Sequence, residues 1–177
     1  GSDPDEALIN KENCFELETP DFSTGIPKII DDILRVTEEL TGMDPLLQIS
    51  APYSLAADIY GQEPLLADVV NDPEHVNALL DHLADKVIVP WIEHHLSVFP
   101  NGWVELSDAS GSPFFIGPEN CKLMSIRSIQ RMDNGNLWNG RVFDCNYRGD
   151  YVANVQSSNR RSRRNSKNTG SSNKVDL

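Results

Sequence analysis

Three segments of the sequence place polar side chains directly after a short apolar run. Carboxylates and thiols can act as acids, bases or metal ligands, and hydroxyl and amide groups can hold a small polar ligand. The runs are "LLQIS", "WVEL" and "RVF". The polar residues after them are Ser50, Tyr53, Ser54 and Asp58, then Ser107, Asp108, Ser110 and Ser112, and finally Asp144, Cys145, Asn146, Tyr147 and Arg148.

Helical patterns separate these apolar runs. "STGIPKIIDDILRVTEELTG" has apolar residues at helical spacing, with Ser23 or Thr24 as N-cap and Gly42 as the C-terminal exit. A second helix is expected from the "SAPYS" junction towards Val70, and a further one from Pro118 to about residue 132, after the loop "ASGSPFFIG". Each apolar run is therefore preceded by a helix.

The clearest helix is "NDPEHVNALLDHLADKVIVPWIEHHL", which lies between the first two runs. Asp72 is its predicted N-cap and Pro73 suits its first turn. Pro90 predicts a kink, because proline removes a backbone donor and clashes with the preceding turn.

Alternating helices and short strands predict an α/β fold, with parallel strands joined by crossover helices. The carboxyl ends of parallel strands meet at one edge, where ligands of such folds bind. We therefore predict catalytic roles for Asp58 and Asp108. Simpler roles stay open, since Ser54 can cap a helix, Asp58 can complement a helix dipole and Asp108 can cap a turn. The predicted substrate-binding residues are Ser50, Tyr53, Ser54, Ser110, Ser112, Asn146 and Arg148.

Charge and composition divide the 177 residues unevenly. The net charge is −12, but six basic residues and one acidic residue follow residue 150, so the preceding body carries −17. An acidic body disfavours nucleic acid and anionic membranes as partners, and no apolar run is long enough to span a bilayer. The three cysteines are far apart in sequence and suggest no disulfide framework, which is typical of a cytoplasmic protein. We expect an irregular segment over 1–20 and a disordered basic tail, rich in Ser, Asn and Arg, over 153–177.

The strand-to-helix junction and the helix after it resemble segments of a known superfamily. "ISAPYSLAADIYG" followed by "LLADVVNDPEHVNALLDHLAD" resembles the uroporphyrinogen decarboxylase superfamily, in which a "GPFTLA…G" turn precedes "dPe.v..ll". "VELSDASGSPFFIGPENCKLM" is similar to the "i.Da.as..liSPe.f" segment of the same superfamily. The resemblance implies part of a (β/α)₈ barrel over residues 21–152, because a whole barrel takes about 250 residues. Open sheet edges in a partial barrel favour a homo-oligomer.

Two branches of that superfamily imply different chemistry. True decarboxylases need no cofactor, act on a tetrapyrrole, and have a substrate-contacting Tyr where this chain has Asp58. The other branch moves methyl groups between corrinoids and thiols and binds zinc through an H-x-C pair. Here "VFDCNY" has Phe143 in place of that His, so Cys145 is at most a weak zinc ligand.

The resemblance favours a methyltransferase-like member acting on a corrinoid or a small thiol. The alternatives are a uroporphyrinogen decarboxylase and a non-catalytic, oligomerising partial-barrel domain. No cofactor is implied with certainty, and zinc is expected only for the methyltransferase-like branch.

The metal content of the purified protein tests the zinc expectation. If Cys145 is a ligand, the wild-type protein carries zinc and Cys145→Ala loses it, because a thiolate is among the strongest zinc ligands. Atomic absorption on both proteins measures this difference. A zinc-free wild-type protein contradicts the expectation.

Overall fold

The computed structural model describes residues 7–133 and 142–144, with the backbone only for 133 and 142–144. The predicted tail over 153–177 lies outside the described residues, as do Cys145, Asn146 and Arg148. Within the described part, no helix combines the length and the apolar character needed to cross a membrane.

The sheet in the described part of the chain has three parallel strands in the order β1-β2-β3. They are β1 (Leu46–Ser50), β2 (Trp103–Ser107) and β3 (Val142–Asp144). Leu47 pairs with Val104, and Val104 pairs in turn with Val142. The predicted α/β class with parallel strands and crossover helices is confirmed, whereas closure into a barrel stays a prediction.

The first helix lies where it was predicted, although the expected capping hydrogen bond at its start is absent. Helix α1 spans Gly25–Thr41 and follows Thr24, whose side chain makes no capping hydrogen bond. At its end Gly42 has φ 68° and donates its N–H to the carbonyl of Glu38. Glycine adopts this left-handed conformation without a steric penalty, so the predicted helix exit is confirmed.

The single helix expected towards Val70 is wrong, because the chain breaks at Gly61. Helix α2 spans Pro52–Ile59, and helix α3 spans Gln62–Asn71. Gly61 between them has φ 97°, which no helical residue adopts.

After α2 and α3, two α-helices joined by a π-helical turn complete the connection from β1 to β2, and we call this part the long crossover. They are α4 (Pro73–Leu83), the π turn Ala84–Ile88 and α5 (Val89–Val98). Asp72 accepts a hydrogen bond from His75 N at 3.2 Å, which confirms it as the N-cap. The π turn lies just before Pro90, so the disturbance expected from proline takes the form of a widened turn.

The segment after β2 becomes helical earlier than expected. Helix α6 spans Pro113–Asn120 and continues through the π turn Cys121–Ile126 into α7, Arg127–Asp133. The predicted loop up to Gly117 is wrong, because the Ser112 carbonyl accepts from Phe115 N and Ile116 N and closes a helical turn. Gly117, at φ 79°, interrupts the helix where the sequence suggested a start.

Helices cover one face of the sheet and build the core there. Every second strand residue faces the helices, and the π turn and α5 supply much of the other side of the layer. Leu47, Val104 and Leu106 of the strands form one buried cluster with Ala84, Ile88 and Ile92 of the long crossover. Burial of these apolar side chains stabilises the fold.

The other face of the sheet is left open by the described residues. Leu46 and Trp103 are exposed there, and Gln48 donates to the Glu105 carboxylate at 3.1 Å across the strands. Strands in parallel α/β folds are usually covered on both faces.

Ion pairs and the N-terminal segment close the helical layer. Arg127 forms a two-pronged hydrogen-bonded pair with Asp81, and Arg131 forms another with Asp85, which together link α7 to the long crossover. Because these side chains are partly exposed, each pair contributes only modestly. Residues 7–20 contain one short 3₁₀ turn, Cys14–Glu16, and pack through Cys14, which is buried.

Gly61→Ala tests the helix break. A Cβ at Gly61 would lie 3.1 Å from Pro64 Cγ, and the backbone would keep its strained φ. We expect a loss of about 1–3 kcal/mol in the free energy of unfolding, measured by urea denaturation. Gly42→Ala is the matched control, since it has positive φ but nothing within 4 Å, and we expect it to cost less. Equal losses in the two variants would contradict the role of the Pro64 contact.

Candidate functional site

Asp108, one residue beyond β2, joins the two strand ends that the sequence singled out. Its side chain is buried, and its Oδ1 accepts from the Ser54 backbone N–H at 2.9 Å and from Ser54 Oγ at 2.8 Å. Ser54 lies in the first turn of α2, directly after β1. One carboxylate therefore connects the β1–α2 junction to the β2–α6 loop.

Two further donors complete the shell around this carboxylate. Ser125 Oγ, from the π turn Cys121–Ile126, donates to Oδ2, and the Gly111 backbone N–H also bonds to the carboxylate. Ser110 N donates to Ser54 Oγ at 3.1 Å, so the loop wraps around the pair. We call Ser54, Asp108, Ser110, Gly111 and Ser125 the Asp108 cluster.

Gly111 is required in this cluster by close approach. A Cβ at that position would lie 2.8 Å from Asp108 Cγ, which no real side chain tolerates. Only glycine lets the backbone N–H reach the carboxylate at this distance.

Burial is the main influence on ionisation in the cluster. It raises the pKa of Asp108 above the usual carboxyl value, although the hydrogen bonds from Ser125, Ser54 and Gly111 oppose it. Burial also raises the pKa of Tyr53, and the negative charge of Asp108 adds to this effect. Tyr53 is therefore a neutral phenol at physiological pH, and its buried hydroxyl has no hydrogen-bond partner among the described residues.

The donor shell limits what Asp108 can do chemically. A carboxylate has about four acceptor positions, and four donors occupy them here. A general base needs a free lone pair directed at the substrate. The geometry thus suits Asp108 to hold two loops in place, and its predicted catalytic role stays untested.

Ser50, Ser112 and Asp58 are not members of the Asp108 cluster. Ser50 lines a cavity of about 260 Å³ together with Leu55 and Trp91. Ser112 precedes α6 as its N-cap residue, but its side chain makes no capping hydrogen bond. Asp58 is exposed on α2, and no described contact brings it to Asp108. The predicted roles of Ser50, Ser112 and Asp58 therefore remain predictions.

A second cavity lies at the opposite end of the sheet. It measures about 590 Å³ and is lined by Met43, Leu46, Trp103 and Glu105, among others. Leu46 and Trp103 are the first residues of their strands. Because ligands of parallel α/β folds bind at the carboxyl ends, this larger cavity is the weaker candidate for an active site.

The described residues contain no group of three or more His, Cys, Asp or Glu side chains that could hold a metal ion. Cys14 and Cys121 are buried free thiols, and burial raises the pKa of Cys14, which keeps it protonated. Cys145, the candidate zinc ligand, lies outside the described residues. A zinc site therefore does not fit the side chains that the structure describes.

Sequence reasoning missed Ser125 and Gly111. Ser125 lies in the π turn after α6, so it does not directly follow a strand and shows no strand-end signal. The available signal was a serine between the apolar residues Met124 and Ile126, since a buried hydroxyl needs a partner. Gly111 was hidden in a loop where glycine is common.

Comparison with known proteins gives a fold but no family. No protein-family model matches the sequence, and no curated protein matches it. Among solved structures, a methyltransferase from Methanosarcina mazei is similar, with a TM-score of 0.61 and 12% sequence identity. The match covers 73% of this chain and 38% of the methyltransferase, so the chain spans well under half of that protein's length. At this identity the likeness shows a shared fold over the matched part.

The pH dependence of stability tests the electrostatics of Asp108. Its pKa is raised by folding, so its contribution to stability is full below the unfolded carboxyl value of 3.8 and is lost as pH rises through the raised value. Asp108→Asn does not titrate. We therefore expect the free energy of unfolding of the wild type, relative to Asp108→Asn, to decrease as pH rises from 3.8.

Urea denaturation at a series of pH values measures this difference. Asp58→Asn, at an exposed position, is the matched control for the loss of one carboxylate. If the free energy of unfolding of the wild type, relative to Asp108→Asn, instead increased with pH, the four hydrogen bonds would outweigh the effect of burial on the pKa of Asp108.

Proposed function

We propose that the chain forms part of a (β/α)₈ barrel of the methyltransferase type and helps to bind a small molecule that gives or accepts a methyl group. The observation that carries this proposal is the fold shared with the Methanosarcina mazei methyltransferase. The resemblance of "ISAPYSLAADIYG" to the uroporphyrinogen decarboxylase superfamily points to the same kind of barrel.

The open sheet face supports a barrel. Leu46 and Gln48 on β1 lie beside Trp103 and Glu105 on β2, and these residues alternate with the core residues of the same strands. In a (β/α)₈ barrel, one set of alternating strand residues packs against the helices while the other set fills the barrel interior. Further strands of a barrel would cover the face that the described residues leave open.

The strand ends are suited to hold a ligand in a fixed place. The Asp108 cluster ties the loops after β1 and β2 together through buried hydrogen bonds, so groups on those loops have little freedom. Rigid support of this kind is what precise positioning of reacting groups requires. In this proposal Asp108 is a positioning residue, and Ser50 contacts the ligand.

The cavity beside Ser50 favours a small thiol as the molecule bound there. Its volume of about 260 Å³ lies below the range of about 300–1,000 Å³ typical of pockets for drug-sized ligands. Its lining is largely apolar, with Leu55, Val87 and Trp91 among its residues, and Gln48 and Ser50 are its polar members. An alkyl chain with one polar end matches this lining, whereas a corrinoid or another tetrapyrrole is too large and would have to lie across the strand ends.

Fluorescence titration of the full chain tests the proposal, because Trp91 lines the cavity. We expect 2-mercaptoethanol to change the tryptophan emission of the wild type in a saturable way. Ser50→Leu, which fills the cavity, is expected to abolish the change. Ser97→Leu, at an exposed serine on α5, is the matched control and should respond like the wild type.

A parallel titration with methylcobalamin, followed by its absorbance, tests for a corrinoid partner. Loss of the methylcobalamin absorbance only when thiol and protein are both present would support methyl transfer. No saturable response to the thiol, or an unchanged response in Ser50→Leu, would contradict the proposed site.

A further inference from the structure

Trp91 connects the cavity beside Ser50 with the segment that precedes α1. The Trp91 side chain is partly buried and lines that cavity. Its ring stacks on the ring of Phe22, with 5.9 Å between the two centres and an interplanar angle of 29°, which is a favourable arrangement for an aromatic pair. Phe22 is not among the residues that line the cavity, so it acts on a ligand there through Trp91.

Phe22 also stacks on a second ring, the imidazole of His94. The two ring centres are 5.4 Å apart, and the ring planes differ by 27°. His94 Nε2 lies 2.7 Å from Oδ2 of Asp31, which is buried on α1. A carboxylate from a different helix therefore fixes the imidazole, and the imidazole in turn supports the Phe22 ring beside Trp91.

The backbone around Phe22 is fixed by the side chain of Asp21. Asp21 Oδ1 accepts from the Ser23 backbone N–H at 2.9 Å and from Ser23 Oγ at 2.6 Å, and Asp21 Oδ2 accepts from Thr24 Oγ1 at 3.3 Å. These hydrogen bonds lower the pKa of Asp21, so the carboxylate remains an acceptor at neutral pH. An aspartate that closes a turn in this way restricts the residue inside the turn, which here is Phe22.

The support for Trp91 matters because the cavity is small. Its volume of about 260 Å³ is comparable to the bulk of a tryptophan side chain, so a change of the Trp91 rotamer would change the space for a ligand substantially. A partly exposed side chain on a helix can adopt more than one rotamer. The stacked ring of Phe22 removes that freedom.

We propose that Phe22 is a positioning residue for the thiol site, which holds Trp91 against the cavity and so selects short thiols over long ones. The inference rests on the proposed function, because it takes the cavity beside Ser50 as the place where the thiol binds. It adds a determinant of substrate size from the segment before α1, which lies far from the strand ends in sequence.

Isothermal titration calorimetry of the full chain with 2-mercaptoethanol and with mercaptohexanol tests the selection. We expect the wild type to bind the short thiol more tightly. Phe22→Ala should weaken the binding of 2-mercaptoethanol by about 2- to 10-fold, the equivalent of one aromatic pair, without weakening that of mercaptohexanol. Phe22→Tyr keeps the stacked ring and should restore the wild-type preference. A general loss of structure would reduce both affinities alike.

Phe15→Ala is the matched control. Phe15 belongs to the same N-terminal part of the chain and also contacts histidines of the long crossover, His75 and His82, but it does not touch the cavity. We expect this variant to keep the wild-type preference for the short thiol. A Phe22→Ala variant that keeps the preference, or a Phe15→Ala variant that loses it to the same extent, would overturn the proposal.

Acrylamide quenching of Trp91 fluorescence tests the role of Phe22 without any thiol. In a background with Trp103→Phe and Trp138→Phe, Phe22→Ala should raise the quenching constant, because the indole gains access to solvent, whereas Phe15→Ala should leave it unchanged. Unchanged quenching in Phe22→Ala would overturn the role of Phe22 alone. If the wild type binds neither thiol, the proposed function is overturned, and the selection of short thiols with it.

Discussion

The hydrogen-bonded carboxylate of Asp108 is the interaction on which the arrangement of this structure depends. Parallel strands bring their carboxyl ends to one edge, but the loops after them are free to diverge unless something joins them. Here a buried carboxylate collects donors from the β1–α2 junction, from its own loop and from the π turn before α7. Burying a carboxylate is costly unless it is fully hydrogen-bonded, so the complete shell is what allows it to stay in this place.

Local signals predicted the elements well where one residue type decides the outcome. Gly42 ends α1 through its left-handed backbone, Asp72 begins α4 through its side-chain carboxylate, and "LLQIS" and "WVELS" form adjacent parallel strands. The errors fall where a glycine could serve more than one purpose. Gly61 breaks the chain into two helices where the apolar pattern predicted one continuous helix. Gly117 lies inside α6, although the sequence predicted that this helix begins at Pro118.

The site was harder to predict than the elements, because its partners come from distant parts of the chain. Ser54 and Asp108 were both predicted from their positions after strands, and the structure joins them. Ser125 was missed, since nothing near it in sequence shows that it reaches a carboxylate 17 residues away. Asp58 matched the same strand-end pattern as Ser54 but is exposed. The direction of a side chain depends on its position along the helix, which the strand-end pattern does not take into account.

The π turn at Ala84–Ile88 lies where the long crossover changes the neighbours that it packs against. Before the turn, α4 contacts the helices α2, α3 and α7. From the turn onward, Ala84, Ile88 and Ile92 belong to the core that contains Leu47, Val104 and Leu106 of the strands. A nearly continuous helix can therefore serve two different packing surfaces, with the wider turn at the point where one gives way to the other.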